Sequence, residues 1–137
     1  MLREDYIHRM IRQLGEALAR LAGRRGRGEY RDAIDEAGRL WDELLGVPRA
    51  LVEVVDSPSL AELLREPARI RAAAELLAEE ARALAGSGDP VNAAVCYRRA
   101  FELMLEARAL APEPGDDATL LELSRFVPPG EIDARYR

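Results

Sequence analysis

Gly88-Asp89-Pro90-Val91-Asn92-Ala93-Ala94-Val95-Cys96-Tyr97-Arg98-Arg99-Ala100-Phe101-Glu102-Leu103 sets a tight glycine-acid turn against a helix whose small and aromatic residues recur at fixed spacing. Asp89 is placed to cap that helix, and Pro90 sits in its first turn, where a missing N–H costs nothing. The helix runs from 90 to about 110, with Ala93, Tyr97, Ala100, Phe101, Met104, Ala107 and Leu110 as its inner stripe, and Pro112 and Pro114 end it. Upstream, Pro67 opens an alanine-rich helix to about Ala85, with Ile70, Ala73, Ala74, Leu77, Ala81 and Leu84 on one side. Gly86-Ser87-Gly88 stops it, so residues 67–111 read as an antiparallel hairpin.

Sixty positions before Gly88, Gly28-Glu29-Tyr30-Arg31-Asp32-Ala33 repeats the same grammar, an alanine five residues after the glycine of the turn. The helix it opens, near 29–45, carries Tyr30, Ala33, Ile34, Ala37, Leu40, Trp41, Leu44 and Leu45 inward. Before it, Tyr6, Ile7, Met10, Ile11, Leu14, Ala17, Leu18 and Leu21 fall at steps of three and four, an amphipathic helix over 4–23. Residues 4–45 therefore form a first hairpin. Gly23-Arg24-Arg25-Gly26-Arg27-Gly28 between its helices reads as a glycine-broken, positively charged loop.

Two short helices are expected over 48–65. Pro48 starts one, and the other begins either at Ser57 with Pro58 behind it or at Ser59, which has capping-box spacing to Glu62. Asp116 caps a last short helix, 116–125, with Leu120, Leu121 and Leu123 inside, and residues 128–137 form a polar tail that is either draped or frayed. The expected fold is all-α: antiparallel helical hairpins in one domain over 1–127, with short connecting and C-terminal helices. Composition agrees, because strong helix formers dominate and aromatics are 5% of the 137 residues.

Leu77 and Ala81, then Asp89 at the turn, then Ala93, Tyr97, Ala100 and Leu103 match the marks of the two helices of a tetratricopeptide repeat, and on these residues the second hairpin resembles that family. The first hairpin departs from the pattern. Ala33 matches, but Ala37 and Leu40 stand where an aromatic and an alanine belong, and Trp41 comes one step late. The closing proline is absent, with Leu105 in its place. The resemblance implies a degenerate tetratricopeptide-like array with too few repeats to close its own faces, so terminal helices or a second chain must cover them. The start, Asp5-Tyr6-Ile7-His8-Arg9-Met10-Ile11-Arg12-Gln13-Leu14, with Tyr30-Arg31-Asp32-Ala33 and Leu44-Leu45-Gly46, also resembles an uncharacterised bacterial domain-of-unknown-function family over about the first 65 residues. It brings no activity with it.

The net charge of −5 is unevenly spread. Residues 1–27 hold seven arginines against Glu4, Asp5 and Glu16, a balance of +4, which leaves −9 on residues 28–137. An acidic body disfavours phosphate backbones, so nucleic acid is not the expected partner. No apolar run reaches membrane-span length, and the single cysteine, Cys96, cannot form an internal disulfide; a cytoplasmic protein is expected. All 20 cationic side chains are arginine, which points to no function.

No residue pattern announces catalysis. His8 is the only histidine, and beside Glu4 and Asp5 it lacks the second Glu-x-x-His pair of a di-metal bundle. Cys96 has no second cysteine or histidine near it in sequence and reads as a small filler of the core. Asp35-Glu36, Glu79-Glu80 and Asp116-Asp117 are adjacent, so each pair diverges by about 100° on a helix and reads as solvated faces and caps. The expectation is a scaffold with no catalytic role, cofactor or metal, which binds another protein and associates with itself as a homodimer. Glu75 and Arg82, on the motif's first helix away from Leu77 and Ala81, are its candidate partner contacts. The alternative is a binder of nucleic acid or an anionic surface through Arg24, Arg25 and Arg27.

Overall fold

Proline and glycine punctuation cuts the chain into helices that a computed structural model describes over residues 2–136. They are α1 (Leu2–Gly26), α2 (Tyr30–Leu40), α3 (Ser57–Leu64), α4 (Pro67–Gly86), α5 (Pro90–Leu110) and α6 (Asp116–Ser124). A π turn (Trp41–Leu45) extends α2, a 3-10 turn (Arg49–Glu53) precedes α3, and two more (Pro129–Glu131, Ala134–Tyr136) shape the C-terminus. No strand occurs among the described residues, and the protein is all-α.

α4 is the centre of the molecule. α1, α2 and α5 all pack against it, while α6 closes against α5. That position explains why α4 buries far more than the single stripe expected of it. Ala72, Leu76, Ala78 and Ala83 join Ile70, Ala73, Ala74, Leu77 and Ala81 in the core, and a methyl side chain at most of these positions lets neighbouring backbones approach closely. α5 answers with Ala93, Tyr97, Ala100, Leu103, Met104 and Ala107.

Two leucines expected inside lie outside. Leu110 is 60% exposed, on the outer side of α5's last turn, where Ala107 is buried and the Ala111 carbonyl is held by Arg71 of α4. Leu121 is 63% exposed, because Leu120, Leu123 and Val127 form the inner face of α6 and Leu121 stands a quarter-turn away.

The π turn has a packing consequence. Widening the helix there turns Trp41, Leu44 and Leu45 all inward, and Gly46, at φ 66°, ends it in the left-handed region with its N–H on the Trp41 carbonyl. At the start of α3 neither serine is the cap. Asp56 accepts the Ser59 N–H at 2.9 Å, and Ser57 is the first helical residue, buried, with its hydroxyl donating to Glu102 at 2.7 Å. At α5 the cap is Asp89, which accepts the Asn92 N–H at 3.2 Å, after Gly88 at φ 88°.

The end of α1 corrects the sequence reading. The helix continues through Gly26, so Arg24 and Arg25 lie in its last turn and only Arg27 lies in the connection. Glycine costs a helix about 1 kcal/mol, but cations in a last turn are favoured by the helix dipole, and both arginines find carboxylates on neighbouring helices. The tail is draped. Ile132 packs on the core, the Asp133 N–H reaches Glu102 at 3.4 Å, Arg135 pairs with Asp56 at 3.2 Å, and the Tyr136 hydroxyl donates to Glu106 at 2.7 Å.

Two helical glycines have opposite surroundings. A methyl at Gly15, in mid-α1, meets nothing within 4 Å, so Gly15→Ala is expected to raise stability by about 0.5–1 kcal/mol. A methyl at Gly86 would lie 2.8 Å from Tyr30 Cζ, so Gly86→Ala is expected to lower stability by about 1–2 kcal/mol. Urea denaturation of both variants checks the pair; equal signs would contradict this packing.

Candidate functional site

Glu75, Ala78, Glu79 and Arg82 are spaced three, four and seven residues along α4, and therefore share one face. Most other sides of α4 are buried, and this face opens into a cleft of about 190 Å3. Leu18 of α1 forms one wall and Thr119, Glu122 and Leu123 of α6 the other, with Ala74, Ala78 and Met104 as floor. Both candidate contacts, Glu75 and Arg82, line it. Thr119 and Glu122 complete it from a helix that carried no candidate.

The cleft's ion pairs are ordered. Arg82 Nη1 donates to Glu79 Oε1 at 2.9 Å, and its Nη2 reaches Glu122 Oε1 at 3.4 Å, tying α4 to α6. Arg25 Nε donates to Glu79 Oε2 at 3.3 Å, tying α1 to α4. Behind them the Tyr97 ring stacks on Phe126, with centroids 4.4 Å apart and planes at 11°. Burial pushes the Tyr97 hydroxyl above its ordinary range, against the pull of Arg82 and Arg25.

Glu75 is different. Its carboxylate receives no hydrogen bond among the described residues, although its side chain is open to water within the concavity. Partial desolvation within the concavity pushes its pKa up, and the positive charge of Arg82 works against this. Counting Arg25, the cleft holds three carboxylates and two guanidinium groups, an excess of one negative charge.

The three arginines of the N-terminal basic segment do not converge on one spot. Arg24 pairs with Glu29 at 3.3 Å and Glu36 at 3.7 Å, Arg25 with Glu79, and Arg27 with Glu29 at 2.7 Å. The Arg27 hydrogen bond is the main cause holding the Glu29 carboxyl below its usual range. An incoming phosphate would compete with a carboxylate already in place at each arginine.

The remaining polar candidates are structural. Cys96 is buried, its thiol donating to Glu80 Oε2 at 3.4 Å, while Arg49 grips the same carboxylate at 2.6 and 3.0 Å. Burial, helped by the negative Glu80, pushes the thiol up to about 12, so Cys96 is protonated at neutral pH and a poor nucleophile. His8 is exposed on α1.

The adjacent carboxylate pairs diverge onto separate partners: Glu79 to Arg25 and Arg82, Glu80 to Arg49, Asp116 to Arg71, Asp117 to Arg108. Glu80 and Asp116 are buried rather than solvated, because an arginine from another element covers each. Among the described residues no group of three or more His, Cys, Asp or Glu side chains could hold a metal ion, and no helix is long and apolar enough to cross a membrane.

Comparison of the chain with protein-family models, curated proteins and solved structures returns no match.

Proposed function

We propose that this chain is a non-catalytic helical scaffold that binds a protein partner in the cleft between α1, α4 and α6, with self-association into a homodimer as part of the same role. The observation that carries the proposal is the cleft itself. It has an apolar floor with charged groups at its mouth, the composition of a binding concavity, and its walls are the first helices of the two hairpins plus the helix that follows them. That order of helices is the one a degenerate tetratricopeptide-like array would present on its inner face. The anionic-surface alternative draws no support from Arg24, Arg25 and Arg27, each of which is already on a carboxylate.

The test is reversal of both charges, Glu75→Arg with Arg82→Glu. Sedimentation at micromolar concentration and capture on the immobilised chain are expected to show association in the wild type and a loss of about tenfold or more in the variant. A compact monomer that captures no partner, or association indifferent to the reversal, would remove the proposal.

A further inference from the structure

We infer that the partner segment entering this cleft is basic: it places an arginine or lysine against Glu75 and lays apolar atoms on Leu18, Ala78, Met104 and Leu123. The inference rests on the cleft being a protein-binding site and adds the chemistry of its occupant. Charge complementarity selects it. Glu79 already has guanidinium partners in Arg82 and Arg25, and Glu122 has one in Arg82, which offset part of their charge. Among the described residues Glu75 has no such partner, and Arg82, two turns away on the same face, is bonded to the other two carboxylates.

Glu75 is open to water in the cleft, so an arriving cation reaches its carboxylate without displacing a hydrogen bond, and the surplus negative charge around it adds to the attraction. An acidic or phosphorylated segment would meet the excess negative charge instead.

Size narrows the occupant further. At about 190 Å3 the cleft is smaller than the roughly 300–1,000 Å3 of small-molecule sites, and it suits one or two inserted side chains. A long basic side chain fits both halves of the surface. Its methylenes lie on the apolar floor and its head reaches the carboxylate, with arginine's planar fork the better match.

The test uses the full chain and three short fluorescein-labelled peptides, each with two leucines flanking a central arginine, citrulline or glutamate, read by fluorescence anisotropy at low salt. The arginine peptide is expected to bind about tenfold more tightly than the other two. Glu75→Gln should erase that preference with an unchanged melting temperature, and Thr119→Trp, which fills the cleft from its rim, should abolish binding of all three. Binding that Thr119→Trp abolishes but that shows no preference for arginine, or a preference that survives Glu75→Gln, overturns the basic occupant and leaves the cleft as a binding site. Failure of the arginine peptide to bind in any manner sensitive to Thr119→Trp overturns both.

Discussion

Arg99→Met is expected to lower stability by about 3–5 kcal/mol, the range for removing one member of a buried charged pair. Arg99 is 7% exposed, and its guanidinium donates to the Val52 carbonyl, to the Val55 carbonyl at 2.8 Å and to Ser57 Oγ at 2.9 Å. Glu102, 2% exposed, accepts from that same serine at 2.7 Å and lies 3.9 Å from the guanidinium. Burial lowers the pKa of Arg99 and Glu102 raises it again, but a guanidinium does not lose its proton in a protein, so the charge must be matched in place.

Methionine would fill most of the volume while orphaning two carbonyls and leaving Glu102 with only Arg98 and neutral donors around it. The double variant Arg99→Met/Glu102→Met is expected to recover only the part of the loss that comes from the unmatched Glu102 charge, because the Val52 and Val55 carbonyls stay without their donor. Urea denaturation gives both values. A single-variant loss under about 1 kcal/mol would show that the guanidinium is not buried as described. Glu102 also receives the Asp133 N–H, so limited proteolysis should release the C-terminal segment faster in the single variant.

These residues also mark where sequence reading stops. The all-α class is legible because Pro67, Gly88, Asp89 and Pro90 act locally: each sets a backbone angle or a cap whatever surrounds it. The end of α1 is not, since Gly23 and Gly26 argue for a loop, and what holds the last turn is Arg24 and Arg25 meeting Glu36 and Glu79 from helices distant in sequence. Nothing local separates buried Arg99 from half-exposed Arg98 beside it.

Glu75 and Arg82 are legible as a pair because they lie away from Leu77 and Ala81 on α4, and the cleft lies on a face of that central helix left open. Its far wall is not, because the placement of Thr119 and Glu122 depends on where α6 docks.

One clasp ties the first turn of α6 to α4, and the second large effect follows from it. Arg71 of α4 donates to Asp116 Oδ1 at 3.0 Å and Oδ2 at 2.8 Å and to the Ala111 carbonyl at 2.6 Å, while the Glu113 N–H also reaches Asp116 Oδ2 at 2.8 Å. Asp116→Asn keeps the shape and one acceptor but replaces the other with a donor facing Arg71, so a loss of about 2–3 kcal/mol at pH 7 is expected. The Arg71 hydrogen bond is the first cause holding the Asp116 carboxyl below its usual range, and burial works against it.

A carboxyl depressed by folding contributes stability that is complete above its unfolded pKa, near 3.8, and is lost as pH falls through the lower folded value. Wild type and Asp116→Asn should therefore differ by a constant amount from neutral pH down to about 4 and converge below it. Other depressed carboxyls, Glu29, Asp56 and Asp133, are common to both proteins and cancel in the difference. Urea titrations across that range give the curve, and a gap that persists unchanged in strong acid would separate Asp116 from the clasp.

Because α6 supplies one wall of the cleft and this clasp holds its first turn, Asp116→Asn should also weaken the arginine peptide at neutral pH. It should do so without altering the preference for arginine over glutamate, since Glu75 stands on α4 and stays in place.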